Sequence, residues 1–110
     1  MNFDVDYPTD GAAVITAAGR LNMVAAPKLR ELIATTVTEH HRPTVVVDLG
    51  ATDFIDSSGL GALIAGLKTA RSAGGDLRIA RPGKQVTTVL QLTNMLRVLR
   101  PYPSVAESLA

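Results

Sequence analysis

The chain has 110 residues, 46% hydrophobic and 19% charged, with no cysteine and a formal net charge of +1. That is the length and apolar content of one compact domain, residues 1–110; it excludes a disulfide framework and a thiolate metal site, and the near-neutral charge gives no support to direct nucleic-acid binding. The start, Asn2-Phe3-Asp4-Val5-Asp6, is acidic where a secretory signal is basic and then apolar, and no stretch approaches the roughly 18 apolar residues of a membrane span, so a soluble, cytoplasmic protein without membrane contact is expected.

Phe3-Asp4-Val5-Asp6-Tyr7 alternates as a half-buried strand does, Asp10-Gly11 supplies a turn, and the apolar run of residues 12–17 completes a predicted hairpin. Pro27 fits a helix's first turn, and Leu29, Leu32, Ile33 and Val37 recur at helical spacing until His40-His41 and Pro43. Thr44-Val45-Val46-Val47-Asp48-Leu49 reads as a central strand covered on both faces. Leu60, Leu63, Ile64 and Leu67 predict a second helix closed by Gly74-Gly75, and Leu77-Arg78-Ile79-Ala80 a short strand. Pro82 opens a third helix through Val86, Val89 and Leu90; residues 96–99 read as a last strand before a short C-terminal helix. The order β-β-α-β-α-β-α-β-α predicts an α/β fold: a mixed sheet of four to five strands with about four α-helices packed against it.

Charge is unevenly distributed: residues 1–67 carry −4 and residues 68–110 carry +5. Lys68, Arg71, Arg78, Arg81, Lys84, Arg97 and Arg100 are too widely spaced for a basic tract with interleaved aromatics. Either solvated element ends or a charged partner face accounts for the asymmetry.

The stretch Asp56-Ser57-Ser58-Gly59-Leu60-Gly61 falls at the predicted strand-to-helix junction, where the first helical N–H groups lack backbone acceptors and the macrodipole is positive. Capping accounts for one polar residue there at about 1 kcal/mol. Two consecutive serines before glycine leave a hydroxyl over and a place for an anion such as phosphate. A nucleophile elbow would need glycine where Asp56 stands, and the only histidines belong to the far end of the first helix, so no catalytic residue is assigned. No third glycine completes a dinucleotide fingerprint, no lysine follows as in a phosphate loop, and no metal-ligand cluster is present.

That motif, following the strand TVVVDLGATDFI and preceded by the hairpin and by GRLNMVAAPKL, resembles the STAS domain of bacterial anti-sigma factor antagonists over nearly the whole chain. The resemblance implies the STAS fold and makes the residue before the motif glycine, Ser58, the phosphoacceptor. It implies a partner switch that is not an enzyme and needs no cofactor. The unphosphorylated chain, monomeric or weakly dimeric, would bind an anti-sigma factor that is a serine kinase, freeing a sigma factor. Phosphorylation of Ser58 by that kinase would end the contact, and a serine phosphatase would restore it. The contact residues implied are Asn22, Asp56, Ser57, Ser58, Gly59, Leu60 and Gly61.

Several roles stay open in the sequence. Asp56 either positions the hydroxyl or caps the helix, and Leu60 is either an exposed contact or part of the core stripe. Many family members carry aspartate in place of Asn22, which either lowers repulsion of the phosphate or serves a turn. Met23, Val24 and Ala25 are either an exposed apolar contact or a packed lid. The competing function is a STAS-type module that responds to a ligand or nucleotide and is not phosphorylated.

Overall fold

The alternating and helical stretches resolve, in a computed structural model that describes residues 1–110, into five strands and four α-helices. The strands are β1 (Asn2–Asp6), β2 (Ala12–Leu21), β3 (Thr44–Ile55), β4 (Asp76–Ala80) and β5 (Pro101–Tyr102). The helices are α1 (Ala26–Thr38), α2 (Ser57–Ser72), α3 (Lys84–Leu92) and α4 (Val105–Leu109), with a 3₁₀ turn over Met95–Arg97. Sheet order follows chain order; β1 is antiparallel to β2, and each later pair is parallel. This is the mixed α/β sheet that the element order predicts. No helix is long and apolar enough to cross a membrane.

The helical stripes explain the layering. Leu29, Ile33 and Val37 of α1 and Leu60, Leu63 and Leu67 of α2 meet the alternate β3 residues Val45, Val47 and Leu49 in a core of 21 buried residues, which Val86 and Leu90 of α3 extend. Burying one such side chain contributes about 1.5–3 kcal/mol relative to exposure. The intervening Val46 faces the other side of the sheet, where it joins Val14 and Ala80 under Val105 and Leu109 of α4.

β3 outruns its neighbour on one side. β4 pairs only with residues 44–48, whereas β2 accompanies β3 to Ile55, and β3 carries one extra residue at each of two register shifts. Such bulges interrupt alternation, which is why the β-branched pattern alone reads as a strand only as far as Leu49, whereas the strand TVVVDLGATDFI named with the family resemblance matches the observed Thr44–Ile55. Where β4 ends, Asp48 anchors the chain: its buried carboxylate accepts from Arg81 Nε at 3.0 Å and Nη2 at 2.8 Å, and from the Gly50 N–H at 3.0 Å. The hydrogen bond to Asp48, then its charge, raises the Arg81 guanidinium above its ordinary value. Arg81 takes a left-handed φ of 54°, and its N–H donates to the Tyr102 carbonyl at 2.8 Å, which turns the chain toward α3.

One predicted element is corrected. Residues 96–99 are not a strand: Asn94 adopts a left-handed φ of 58°, and the N–H groups of Val98 and Leu99 both donate to the Met95 carbonyl, at 3.0 and 2.7 Å. That turn buries Leu99 completely. The last strand is Pro101–Tyr102, fixed by its pairing with Ile79 and Ala80.

Candidate functional site

The junction between β3 and α2 is built around Asp56. Its backbone is extended, with φ −115° and ψ −173°, which lets the side chain turn back over the first turn of α2. Oδ1 accepts from the Gly59 N–H at 2.9 Å, and Oδ2 accepts from the Met23 N–H at 3.2 Å. The Asp56 N–H donates to the Leu21 carbonyl at 3.3 Å. One residue therefore caps α2, at about 1 kcal/mol, and ties it to β2 and to the turn that follows β2.

Because Asp56 does the capping, the serines are released from it. Ser57 and Ser58 are the first two residues of α2, both exposed, and neither hydroxyl nor backbone N–H of either has a hydrogen-bond partner within the chain. The positive end of a 16-residue helix thus presents two hydroxyls and two free donors to solvent. The next two motif residues turn inward. Leu60 is 7% exposed and lies in the core, and Gly59 is buried where a Cβ would overlap the Leu21 carbonyl oxygen. Glycine at 59 is required by the approach of α2 to β2. At Gly61 the nearest atom to an added Cβ is Arg30 Nη2 at 4.0 Å, so that position opens onto a groove.

The groove runs between the first turns of α1 and α2, with Met23, Pro27 and Arg30 facing Ser57, Ser58 and Gly61. Met23 and Val24, 72% and 83% exposed, form an apolar rim beside it. Asn22 builds that rim from below: its Oδ1 accepts from the Val24 N–H at 3.1 Å and the Ala25 N–H at 3.2 Å, so the side chain does serve a turn. Of the residues singled out in the sequence, Ser57, Ser58 and Gly61 line this groove, Asp56 reaches it through its bond to the Met23 N–H, Asn22 lies outside it beneath the turn, and Gly59 and Leu60 are buried below. Asp53 is exposed on β3, three residues before Asp56. His40 and His41 follow the C-terminal end of α1, about 20 Å along that 13-residue helix from its start at the groove.

Two contributors were not legible in the sequence. Arg30 carried no local signal; only the packing of α1 on α2 brings it to the serines. Gln85, in the first turn of α3, accepts from the Ile55 N–H at 2.9 Å through Oε1 and donates from Nε2 to the Ile55 carbonyl at 3.1 Å. Thirty residues separate the partners. At the opposite end of α2, Arg71, Arg78, Arg97 and Arg100 line one cleft with Asp76, so the fold gathers basic residues that the sequence spaces apart.

Comparisons with known proteins fit this architecture. The STAS domain family model matches residues 6–108. A Thermotoga maritima protein named as an anti-sigma factor antagonist is 34% identical over 61 residues, 56% of this chain and 54% of that protein. The chain spans about half the length of the curated relatives it matches. The crystal structure of an anti-sigma factor antagonist from Mycobacterium paratuberculosis superposes with a TM-score of 0.84 at 28% identity, covering 98% of this chain and 90% of that one. The Bacillus cell fate determinant SpoIIAA in its phosphorylated form gives a TM-score of 0.77 at 20% identity over 98% and 96% of the two chains.

Proposed function

We propose that this chain, which belongs to the STAS domain family, is an anti-sigma factor antagonist switched by phosphorylation of Ser58. One observation carries the reading: Asp56 commits both carboxylate oxygens to the fold, leaving the Ser58 hydroxyl exposed and without an intramolecular partner, beside an apolar rim. In the unphosphorylated state Met23, Val24 and the serine face dock on an anti-sigma factor, and the sigma factor is released. That anti-sigma factor is a serine kinase; it transfers the γ-phosphoryl group of ATP to Ser58 Oγ, and a serine phosphatase reverses the step. The chain contributes the acceptor hydroxyl and a docking surface, and the 110 residues act as one unit.

Charge explains why the contact ends while the fold survives. Phosphate brings about −1.5 to −2 charges beside Asp56 and into a groove that Glu31 also lines, with Asp53 exposed on β3 three residues before Asp56, so docking an apolar or acidic partner there becomes unfavourable. Within the chain the same charge meets the two free N–H groups, the helix dipole, worth about 0.3–1 kcal/mol when exposed, and Arg30 across the groove. No intramolecular bond of Ser58 is lost.

The test is intact mass and site mapping after incubation with the host's candidate anti-sigma kinases and ATP, with Ser58→Ala and Ser57→Ala as controls. One added phosphate that disappears only with Ser58→Ala is expected. Ser58→Ala should hold the kinase persistently and Ser58→Asp should bind at least about tenfold more weakly, the scale of one adverse interfacial charge. Equal affinities of the two variants would overturn the switch, and tight binding with no phosphate from any candidate would leave an unswitched antagonist.

A further inference from the structure

Beyond residue 48, β3 has no strand on its β4 side, and the phosphoacceptor junction hangs from an end that β2 alone pairs, with Leu21 opposite Ile55. A strand end paired on one side only has free backbone groups on the other and opens more readily than one paired on both. At Ile55 the missing neighbour is replaced by one side chain. The Gln85 carboxamide offers its oxygen to the Ile55 N–H at 2.9 Å and its NH₂ to the Ile55 carbonyl at 3.1 Å, so both backbone groups are satisfied as a strand would satisfy them.

Gln85 is itself firmly held. It stands in the first turn of α3, whose Val86 and Leu90 are fully buried, and α3 follows the loop that Arg81 pins to Asp48. The next residue after Ile55 is Asp56, and the one after that begins α2. The position of the Ser58 hydroxyl therefore depends on three supports: the Leu21 carbonyl, the Met23 N–H and the Gln85 clamp.

We infer that Gln85 is a positioning residue for Ser58 phosphorylation, acting through the Ile55 backbone without touching the serine. The inference rests on the reading of Ser58 as the phosphoacceptor, so its test has an arm that needs no kinase. Gln85→Met keeps the length and removes donor and acceptor; Gln85→Glu keeps an acceptor and removes the donor. Amide hydrogen exchange in the free protein is followed at Ile55, with Val46 and Val47 as internal references. Exchange at Ile55 should accelerate by about tenfold in Gln85→Met and by less in Gln85→Glu, with the references unchanged.

The second arm compares Ser58 phosphorylation by the host kinase. A fall in kcat in the same order, Gln85→Met more than Gln85→Glu, with KM nearly constant, is expected of a mispositioned hydroxyl. Unchanged Ile55 exchange overturns the clamp, and acceleration that extends equally to Val46 and Val47 reduces Gln85 to a general stabiliser. Faster Ile55 exchange with an unchanged kcat overturns the positioning role. A wild-type chain that no host kinase modifies while the Ile55 arm behaves as expected identifies the Ser58 reading as the failure, and removes this role with it.

Discussion

The two halves of β3 are held in different ways. Residues 44–48 lie between β2 and β4 with continuous pairing on both sides, and Val45, Val46 and Val47 have no exposure at all. Residues 49–55 have β2 alone, shifted twice in register, and depend on single side-chain bonds: Asp48 to the Gly50 N–H, Thr52 Oγ1 to the Ala17 carbonyl at 2.8 Å, and Gln85 to Ile55. The first half stores stability in area and ladder bonds; the second stores position in contacts that can be changed one at a time. In the proposed switch, phosphate is added beyond the end of the second half while the first half keeps the molecule folded.

The contrast predicts a ranking of costs. Ile79→Ala, on β4 opposite Val47 and fully buried, removes volume from the doubly paired half and should cost about 2–5 kcal/mol, seen as a lower urea midpoint at unchanged m. Gly59→Ala acts on the site half, where the new Cβ would overlap the Leu21 carbonyl oxygen and force the first turn of α2 outward. The overpacking cost is about 1–3 kcal/mol, with chemical-shift changes concentrated at Leu21, Ile55 and Asp56. Gly61→Ala, two residues on and facing open space, should instead be neutral or gain about 0.5–1 kcal/mol from helix propensity. A larger loss from Gly59→Ala than from Ile79→Ala would break the comparison, because stability would then reside at the site.

The same contrast separates what was legible in the sequence from what was not. The apolar stripes Leu29, Ile33, Val37 and Leu60, Leu63, Leu67 bury as their spacing requires, and the β-branched run of residues 44–47 is the central strand. These features depend on local period. The site half was hidden from periodicity because bulges put Gly50, Thr52 and Asp53 where alternation would be read, so only the family resemblance carried the strand on to Ile55. Residues 96–99 misled for the opposite reason: four residues with three apolar side chains carry no period that separates a strand from a turn, and the outcome was set by Asn94 and by the burial of Leu99. Junction chemistry was legible where capping rules are local, as at Asp56 and Asn22. It was hidden where a partner comes from 30 or 33 residues away, as for Gln85 on Ile55 and Arg81 on Asp48.

The smallest effect on the fold sharpens the comparison most. Asn22→Asp keeps an oxygen where Oδ1 accepts from the Val24 and Ala25 N–H groups, so the turn is retained and stability should change by less than about 0.5 kcal/mol. It adds a negative charge to the turn whose Met23 N–H is bound to Asp56, on the rim of the groove that holds Ser58. The expected result is slower phosphorylation of Ser58 or looser kinase binding at low ionic strength. That difference should shrink as salt rises, because charges on an exposed rim are screened over about 8 Å at physiological ionic strength. A salt-independent loss would point to a distorted turn, and identical rates and affinities at low salt would leave Asn22 as a turn residue alone. A salt-sensitive change at constant stability would mean that the side-chain-held end of β3 can be retuned electrostatically without drawing on the ladder that keeps the chain folded.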